Sequence, residues 1–131
     1  MQSTAPRSAA ELVAEAKQHI ENLTPDQMAA ELAAGQPLLV DLRELDERAQ
    51  SGCIPGAVHA PRGMLEFYAD PSSAYHRPEF DPRRRTILYC ASGGRSALAA
   101  QTLRQLGYAN VAHLDGGVKA WTASGRAVAP D

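Results

Sequence analysis

The stretch ILYCASGGRSALAAQTL, residues 87–103, joins a short apolar run to a helical pattern through a small polar loop. The apolar run ends at Cys90, and apolar residues then recur at helical spacing over residues 96–106 until Gly107. A strand followed at once by a tight turn and a helix is typical of the connection between parallel strands. The stretch therefore predicts an α/β fold, and it puts a cysteine at the carboxyl end of a strand.

The rest of the chain repeats this alternation of strands and helices. Helical patterns cover residues 9–23, 24–35, 44–52, 63–69 and 116–125, and strand-like runs cover residues 37–44, 57–59, 86–90 and 110–114. Such alternation indicates a mostly parallel central sheet with helices on both faces, which is a three-layer α/β fold. Because 131 residues suit one core, we expect a single domain over residues 25–128, preceded by a helical extension over residues 1–24.

Composition and charge exclude several classes of function. The chain carries a formal net charge of −2, which leaves no strong basic field for nucleic acid. No apolar run approaches the roughly 18 residues of a membrane helix, and the N-terminus lacks the apolar segment of a secretion signal. We therefore expect a cytoplasmic protein that binds neither nucleic acid nor membrane.

The cysteines and histidines do not indicate a metal site. Cys53 and Cys90 are far apart in the sequence, and the four histidines are scattered without the short paired spacings of zinc ligands. A disulfide between the two cysteines is a poor expectation in a reducing compartment. We expect no bound metal, and we treat each cysteine by its own surroundings.

The residues that follow Cys90 suit a loop that binds an anion. Residues 91–94 are small, and glycines permit the positive φ angles that let successive N–H groups point at one centre. The first turn of the following helix adds unpaired N–H groups and partial positive charge. Arg95 supplies a permanent charge at the end of the loop. Surroundings of this kind favour the thiolate form of a cysteine, which is the nucleophile.

Two other interpretations fit the same residues. A cysteine that ends an apolar strand is often a small buried core residue. Glycine-rich loops also bind phosphate, although the lysine of nucleotide-binding loops is absent here. The loop alone predicts a reactive thiolate that faces an anion, and it does not identify the reaction.

Three segments together resemble the rhodanese family of sulfurtransferases in its single-domain form. The segments are CASGGRS at residues 90–96, DLRELDERAQSGCIPGAVHAP at residues 41–61, and LDGGVKAW at residues 114–121. They follow the family's order, and the resemblance covers about residues 25–125. It implies the rhodanese-like fold, with a central mostly parallel sheet between two helical layers.

The resemblance also implies roles for individual residues. Cys90 matches the nucleophile that carries sulfur, and Ser96 falls where the next helix starts. The loop around the persulfide is matched by Ala91, Ser92, Gly93, Gly94 and Arg95, and framework positions are matched by Asp41, Arg43, Asp115, Gly116, Gly117 and Trp121. No dissociable cofactor is implied, because the intermediate is a covalent cysteine persulfide.

The implied reaction moves a sulfane sulfur from a small anionic donor such as thiosulfate to a thiophilic acceptor. The acceptor is cyanide in an assay and a thiol or protein thiol in the cell. One alternative is a cysteine phosphatase or arsenate reductase, whose loops have five residues between cysteine and arginine, whereas this chain has the four residues 91–94. A second alternative is a non-catalytic interaction module, although such modules commonly lose the cysteine. The oligomeric state stays open.

One position departs from the family pattern. Family members often have histidine before the sequence IPGA, where this chain has Cys53. We expect a partly exposed and inert thiol there, with oxidation or pairing to another chain as the alternatives.

Overall fold

Parallel strand pairing organises residues 5–130, which are the part of the chain that this computed structural model describes. The strands are β1 (Glu21–Leu23), β2 (Leu38–Asp41), β3 (Val58–His59), β4 (Thr86–Tyr89) and β5 (Val111–Leu114). The helices are α1 (Ala9–Lys17), α2 (Pro25–Ala34), α3 (Leu45–Ser51), α4 (Leu65–Ala69), α5 (Gly94–Gln105) and α6 (Gly117–Ala123), with a 3₁₀ turn over Arg62–Met64 before α4.

The strands form one sheet in the order β1-β5-β4-β2-β3, and each neighbouring pair is parallel. Successive side chains of β4 point to opposite faces, so Leu88 and Cys90 lie on one face and Ile87 and Tyr89 on the other. Residues of α1, α4 and α5 pack on the first face, and residues of α2 and α6 pack on the second. The predicted three-layer α/β fold is confirmed.

Helix α1 is shorter than the sequence predicted. The prediction of one helix over residues 9–23 is wrong beyond Lys17, because residues 21–23 form β1 and pair in parallel with β5. The side-chain amide of Asn22 donates to the carbonyls of Lys17 and Ile20, at 2.9 and 3.2 Å, and so satisfies groups left open at the helix end. Apolar residues at helical spacing also fit a short strand, and pairing with the edge of β5 determines the outcome.

Helix α2 begins and ends where the residues at its two ends predicted. Thr24 and Gln27 make reciprocal capping hydrogen bonds, Pro25 occupies the first helical position, and the helix ends at Gly35. Helix α5 begins at Gly94, two residues before the predicted start at residue 96.

All five strands run in the same direction, so their carboxyl ends meet at one edge of the sheet. Cys90 follows β4 at this edge, and Asp115 follows the neighbouring strand β5. Ligands of open parallel sheets bind at this edge. None of the helices within residues 5–130 combines the length and the apolar character that a membrane crossing requires.

Candidate active site

Two tight turns hold the Cys90 loop by close backbone contact. Gly93 has a φ of +103°, and a Cβ atom there would meet the amide nitrogen of Gly116 at 3.1 Å. Gly117 has a φ of +64°, and a Cβ atom there would meet the carbonyl carbon and oxygen of Ala91 at 2.5 Å. Glycine is therefore required at both positions, by its backbone angle and by the space available.

The first turn of α6 fixes the start of the loop through hydrogen bonds. The amide of Val118 donates to the carbonyl of Cys90 at 2.9 Å, and the amide of Lys119 donates to the carbonyl of Ala91 at 3.1 Å. N–H groups at a helix start lack partners within their own helix, and here they bind the loop. The loop is thus held by the turn at residues 116 and 117 and by the first turn of α6.

The sulfur of Cys90 is buried, with the residue 1% exposed. The amide of Gly93 donates to Cys90 Sγ at 3.2 Å, and the Oγ of Ser96 lies 3.6 Å from the same sulfur. Among the other predicted loop residues, Ser92 is exposed and Gly94 lies beside Val13 of α1. The structure thus brings Cys90, Gly93 and Ser96 together around one sulfur atom.

A chain of hydrogen bonds leads from Ser96 into the protein. Ser96 Oγ lies 2.8 Å from Nδ1 of His113, and Nε2 of His113 lies 2.8 Å from Oδ1 of Asn22. Burial lowers the pKa of His113 to about 4, with Asp115 acting to raise it and Lys17 to lower it. Sequence reasoning missed His113 and Asn22. A histidine inside the buried strand VAHL was the available signal, since a buried polar side chain requires partners.

Arg95 binds a carboxylate of α3. Its guanidinium makes two hydrogen bonds of 2.8 Å to the carboxylate of Glu47. These bonds hold the pKa of Glu47 at about 2, and they raise the pKa of Arg95. These bonds commit both terminal nitrogens of Arg95 to α3, whereas Cys90, Gly93 and Ser96 contact one another.

A cavity of about 300 Å³ lies beside the loop, between α3 and α6. Its lining includes polar and charged side chains on both helices and two small apolar groups near the loop. Among the lining residues are Glu47, Ser51, Ala91, Val118, Lys119 and Thr122. The cavity has room for a small polar molecule next to the loop.

A buried ion pair lies next to the end of β4, from which the Cys90 loop begins. Arg43 and Asp41 are 1% and 0% exposed, and Arg43 donates to both carboxylate oxygens of Asp41, at 3.0 and 2.9 Å. Burial opposes ionisation of Asp41, but hydrogen bonds from Arg43 and from the hydroxyl of Tyr89 leave its pKa below the ordinary value. Because Tyr89 directly precedes Cys90, this pair fixes the end of β4.

Cys53 has different surroundings from those we expected. It is 7% exposed, so the expectation of a partly exposed thiol is wrong. Its backbone pairs with Ala129 through hydrogen bonds of 2.7 and 2.8 Å, and Arg48 Nε donates to its sulfur at 3.2 Å. The chain near residue 129 returns to this position, which short-range patterns in the sequence do not reveal.

Comparison with known proteins shows the family of this chain. The family model of the Rhodanese-like domain matches residues 24–124. The chain belongs to the rhodanese family. The resemblance inferred from three segments is confirmed, and the family is one of sulfurtransferases.

Two relatives of this rhodanese domain are named for sulfur chemistry. The human thiosulfate:glutathione sulfurtransferase is 30% identical over 97 residues, which cover 69% of this chain and 83% of that protein. A Bacillus subtilis relative named as a candidate sulfur carrier protein, YrkF, is 32% identical over 84 residues. That match covers 64% of this chain and only 40% of the Bacillus protein, so this rhodanese domain spans less than half of that relative.

A solved structure from Rhodopseudomonas palustris resembles this rhodanese chain over most of its length. It is 39% identical, has a TM-score of 0.89, and is aligned over 98% of this chain and 99% of its own. It is described as a protein of unknown function and possible tyrosine phosphatase. The likeness includes the segment before residue 24, where the family model does not match.

Proposed function

We propose that this rhodanese is a sulfurtransferase that carries a sulfane sulfur on Cys90 as a persulfide. The observation that supports this best is the surroundings of the sulfur. The Gly93 amide and the Ser96 hydroxyl approach Cys90 Sγ at 3.2 and 3.6 Å, at the start of α5. The Gly93 amide donates to this sulfur, and a donor placed in this way stabilises the anionic form of the sulfur and of a bound persulfide.

The proposed reaction has two steps. The Cys90 thiolate attacks the outer sulfur of thiosulfate, a new S–S bond forms, and the old S–S bond breaks with its electron pair leaving on sulfite. An acceptor thiolate then attacks the terminal sulfur of the persulfide. The bond to Cys90 breaks, and Cys90 leaves as a thiolate that is ready for the next donor. The donor supplies the sulfane sulfur, so neither step requires an oxidant, a metal or a cofactor.

The cavity beside the loop is the proposed entrance for donor and acceptor. Lys119 lines it and supplies a positive charge for an anionic donor, while Ala91 joins the cavity to the loop. Arg95 contributes to the same positive field, although its guanidinium is held by Glu47. The human relative is named for glutathione, and a small thiol is accordingly the acceptor proposed for this chain.

A phosphatase is the rival enzyme, because the Rhodopseudomonas palustris protein is described as a possible tyrosine phosphatase. Two features of this chain argue against that reaction. The loop has four residues between Cys90 and Arg95, which leaves little space for a tetrahedral group. In addition, both terminal nitrogens of Arg95 already donate to the carboxylate of Glu47.

Steady-state kinetics with two substrates test the proposal. Thiosulfate and cyanide should give parallel double-reciprocal lines, which are the signature of a covalent intermediate, and aryl phosphate turnover should be at background. Efficient aryl phosphate hydrolysis would replace the proposal with a phosphatase. Absence of turnover with thiosulfate and with polysulfide would favour a non-catalytic interaction module.

A further inference from the structure

Four side chains form a continuous hydrogen-bonded chain from the sulfur to the edge strand. The contacts run from Cys90 Sγ to Ser96 Oγ at 3.6 Å, from there to His113 Nδ1 at 2.8 Å, and from Nε2 to Asn22 Oδ1 at 2.8 Å. Ser96 and His113 are 0% exposed. Solvent therefore has no access to the middle of the chain.

The contacts of Asn22 determine which nitrogen of His113 carries hydrogen. The amide nitrogen of Asn22 donates to the carbonyls of Lys17 and Ile20. Its oxygen is therefore the atom that faces His113, and an oxygen of this kind can only accept. Nε2 of His113 must donate to it, which leaves Nδ1 of the neutral ring as an acceptor for the hydroxyl of Ser96.

The same heavy-atom positions accommodate two arrangements of the protons. In the first, the ring is neutral, the Ser96 hydroxyl donates to Nδ1, and the thiol of Cys90 donates to Ser96 Oγ. In the second, the thiol proton has moved to Ser96 as the serine proton moved to Nδ1. The result is a Cys90 thiolate that accepts a hydrogen bond from Ser96, together with a His113 imidazolium. Protons and charge balance, and no group leaves its place.

We propose that Ser96 receives the Cys90 thiol proton and passes its own to His113, and that Asn22 holds His113 for this exchange. Ser96 contacts the reacting sulfur, whereas His113 and Asn22 are positioning residues that act through it. This inference rests on the proposed function, since it explains how a buried thiol becomes the nucleophile. It assigns the activation of the sulfur to strands β1 and β5 as well as to the loop.

The charged groups beside His113 balance one another. Lys17 of α1 and Asp115 after β5 form an ion pair of 2.8 Å, and Asp115 favours the imidazolium while Lys17 opposes it. Burial favours the neutral ring above about pH 4, so near neutral pH the imidazolium forms together with the thiolate. The proton exchange is therefore tied to Cys90 and not to solvent.

We call the hydrogen-bonded chain of Cys90, Ser96, His113 and Asn22 the relay. The end of the relay that is farthest from the sulfur lies outside the residues that the family model matches. Asn22 and Lys17 precede residue 24, where the match to the family model begins. The N-terminal segment thus contributes to the site, in addition to covering one face of the sheet with α1. A rhodanese domain without this segment would lack the group that fixes the ring of His113.

The test is the pH dependence of the thiolate absorbance of Cys90 in the full chain. All variants are made in a Cys53→Ser background, and the spectrum of the matching Cys90→Ser protein is subtracted. Ser96→Ala and His113→Phe should each lower the thiolate fraction at neutral pH about fivefold or more. Asn22→Ala should act in the same direction. Ser96→Thr keeps a hydroxyl and should retain the parent profile.

The matched control is His19→Gln, which removes an exposed histidine that is not a member of the relay. It should leave the profile unchanged, and circular dichroism should show every variant folded, with His113→Gln replacing any unfolded His113→Phe protein. Unchanged profiles in folded Ser96→Ala and His113 variants would overturn the relay. A change in Ser96→Ala alone would overturn the parts assigned to His113 and Asn22. The absorbance measurement uses no sulfur donor, so its result does not depend on whether the protein transfers sulfur.

Discussion

Cys90 and Cys53 are both buried, and each sulfur accepts a hydrogen bond of 3.2 Å, from the Gly93 amide and from the Arg48 guanidinium. Their surroundings differ beyond these donors. Cys53 lies in a backbone pair with Ala129, whereas Cys90 lies at the open edge of the sheet, beside a cavity and at the start of a proton relay. Burial and a nearby donor are therefore common to both thiols and do not by themselves mark Cys90 as the proposed nucleophile.

The largest effect should come from removing each sulfur in turn. Cys90→Ser should lower thiosulfate:cyanide turnover about a thousandfold or more, a barrier increase of about 4 kcal/mol, because no covalent carrier remains. Cys53→Ser should retain turnover within about twofold. Both proteins should keep the parent's circular dichroism. Loss of turnover in the Cys53 variant with retention in the Cys90 variant would reverse the comparison.

Glycines beside the two cysteines provide a matched pair of backbone changes. A Cβ atom at Gly117 would meet the carbonyl of Cys90 at 2.6 Å, and one at Gly52 would meet the carbonyl of Ala129 at 2.8 Å. Gly117→Ala and Gly52→Ala should each lower the free energy of unfolding by about 2–4 kcal/mol. Among molecules that remain folded, only the Gly117 variant should also lose sulfur transfer. Equal activity losses in both variants would contradict a local role for the loop.

The buried histidine should make stability depend on pH. The pKa of His113 is lowered from 6.5 to about 4, so between these values the unfolded chain binds a proton that the folded chain does not. The contribution of His113 to the free energy of unfolding is complete above pH 6.5, and it should fall by roughly 3 kcal/mol by pH 4. Urea unfolding at a series of pH values measures the free energy of unfolding of the parent and of His113→Gln. The variant should lack the part of the pH dependence that His113 contributes between pH 4 and pH 6.5. Identical slopes would show that His113 is not buried as a neutral ring.

A one-residue insertion tests the size of the loop. A glycine added between Gly94 and Arg95 accepts most backbone angles, but it shifts Ser96 and Arg95 relative to Cys90. We expect sulfur transfer to fall at least about tenfold, which is about 1.4 kcal/mol, with any gain appearing as weak aryl phosphate hydrolysis that requires Cys90. An insertion without effect on sulfur transfer would remove the argument from loop size.

Local patterns in the sequence were sufficient for strands β2 to β5, for the ends of α2 and for the position of the Cys90 loop. Each depends on neighbouring residues, such as the reciprocal hydrogen bonds of Thr24 and Gln27. The loop with two glycines and an arginine likewise carries its chemistry within seven consecutive residues, 90–96.

Contacts between distant residues were not predictable in the same way. Asn22 and His113 are 91 positions apart, and Arg95 and Glu47 are 48 apart. Strand β1 has three residues and its apolar positions continue the spacing of α1, so pairing with β5 is visible only in the folded chain. Sequence reasoning thus located the loop of the proposed nucleophile, but it did not find His113 and Asn22, the side chains to which the proton exchange is assigned.

Intact-mass spectrometry after incubation with thiosulfate tests the central claim most directly. The parent and the Cys53→Ser variant should each gain about 32 Da, one sulfur atom, and the gain should disappear when cyanide is added. Peptide mapping should locate the added sulfur on Cys90, and Cys90→Ser should show no gain. Added sulfur on Cys53, or a gain that persists in Cys90→Ser, would contradict the account.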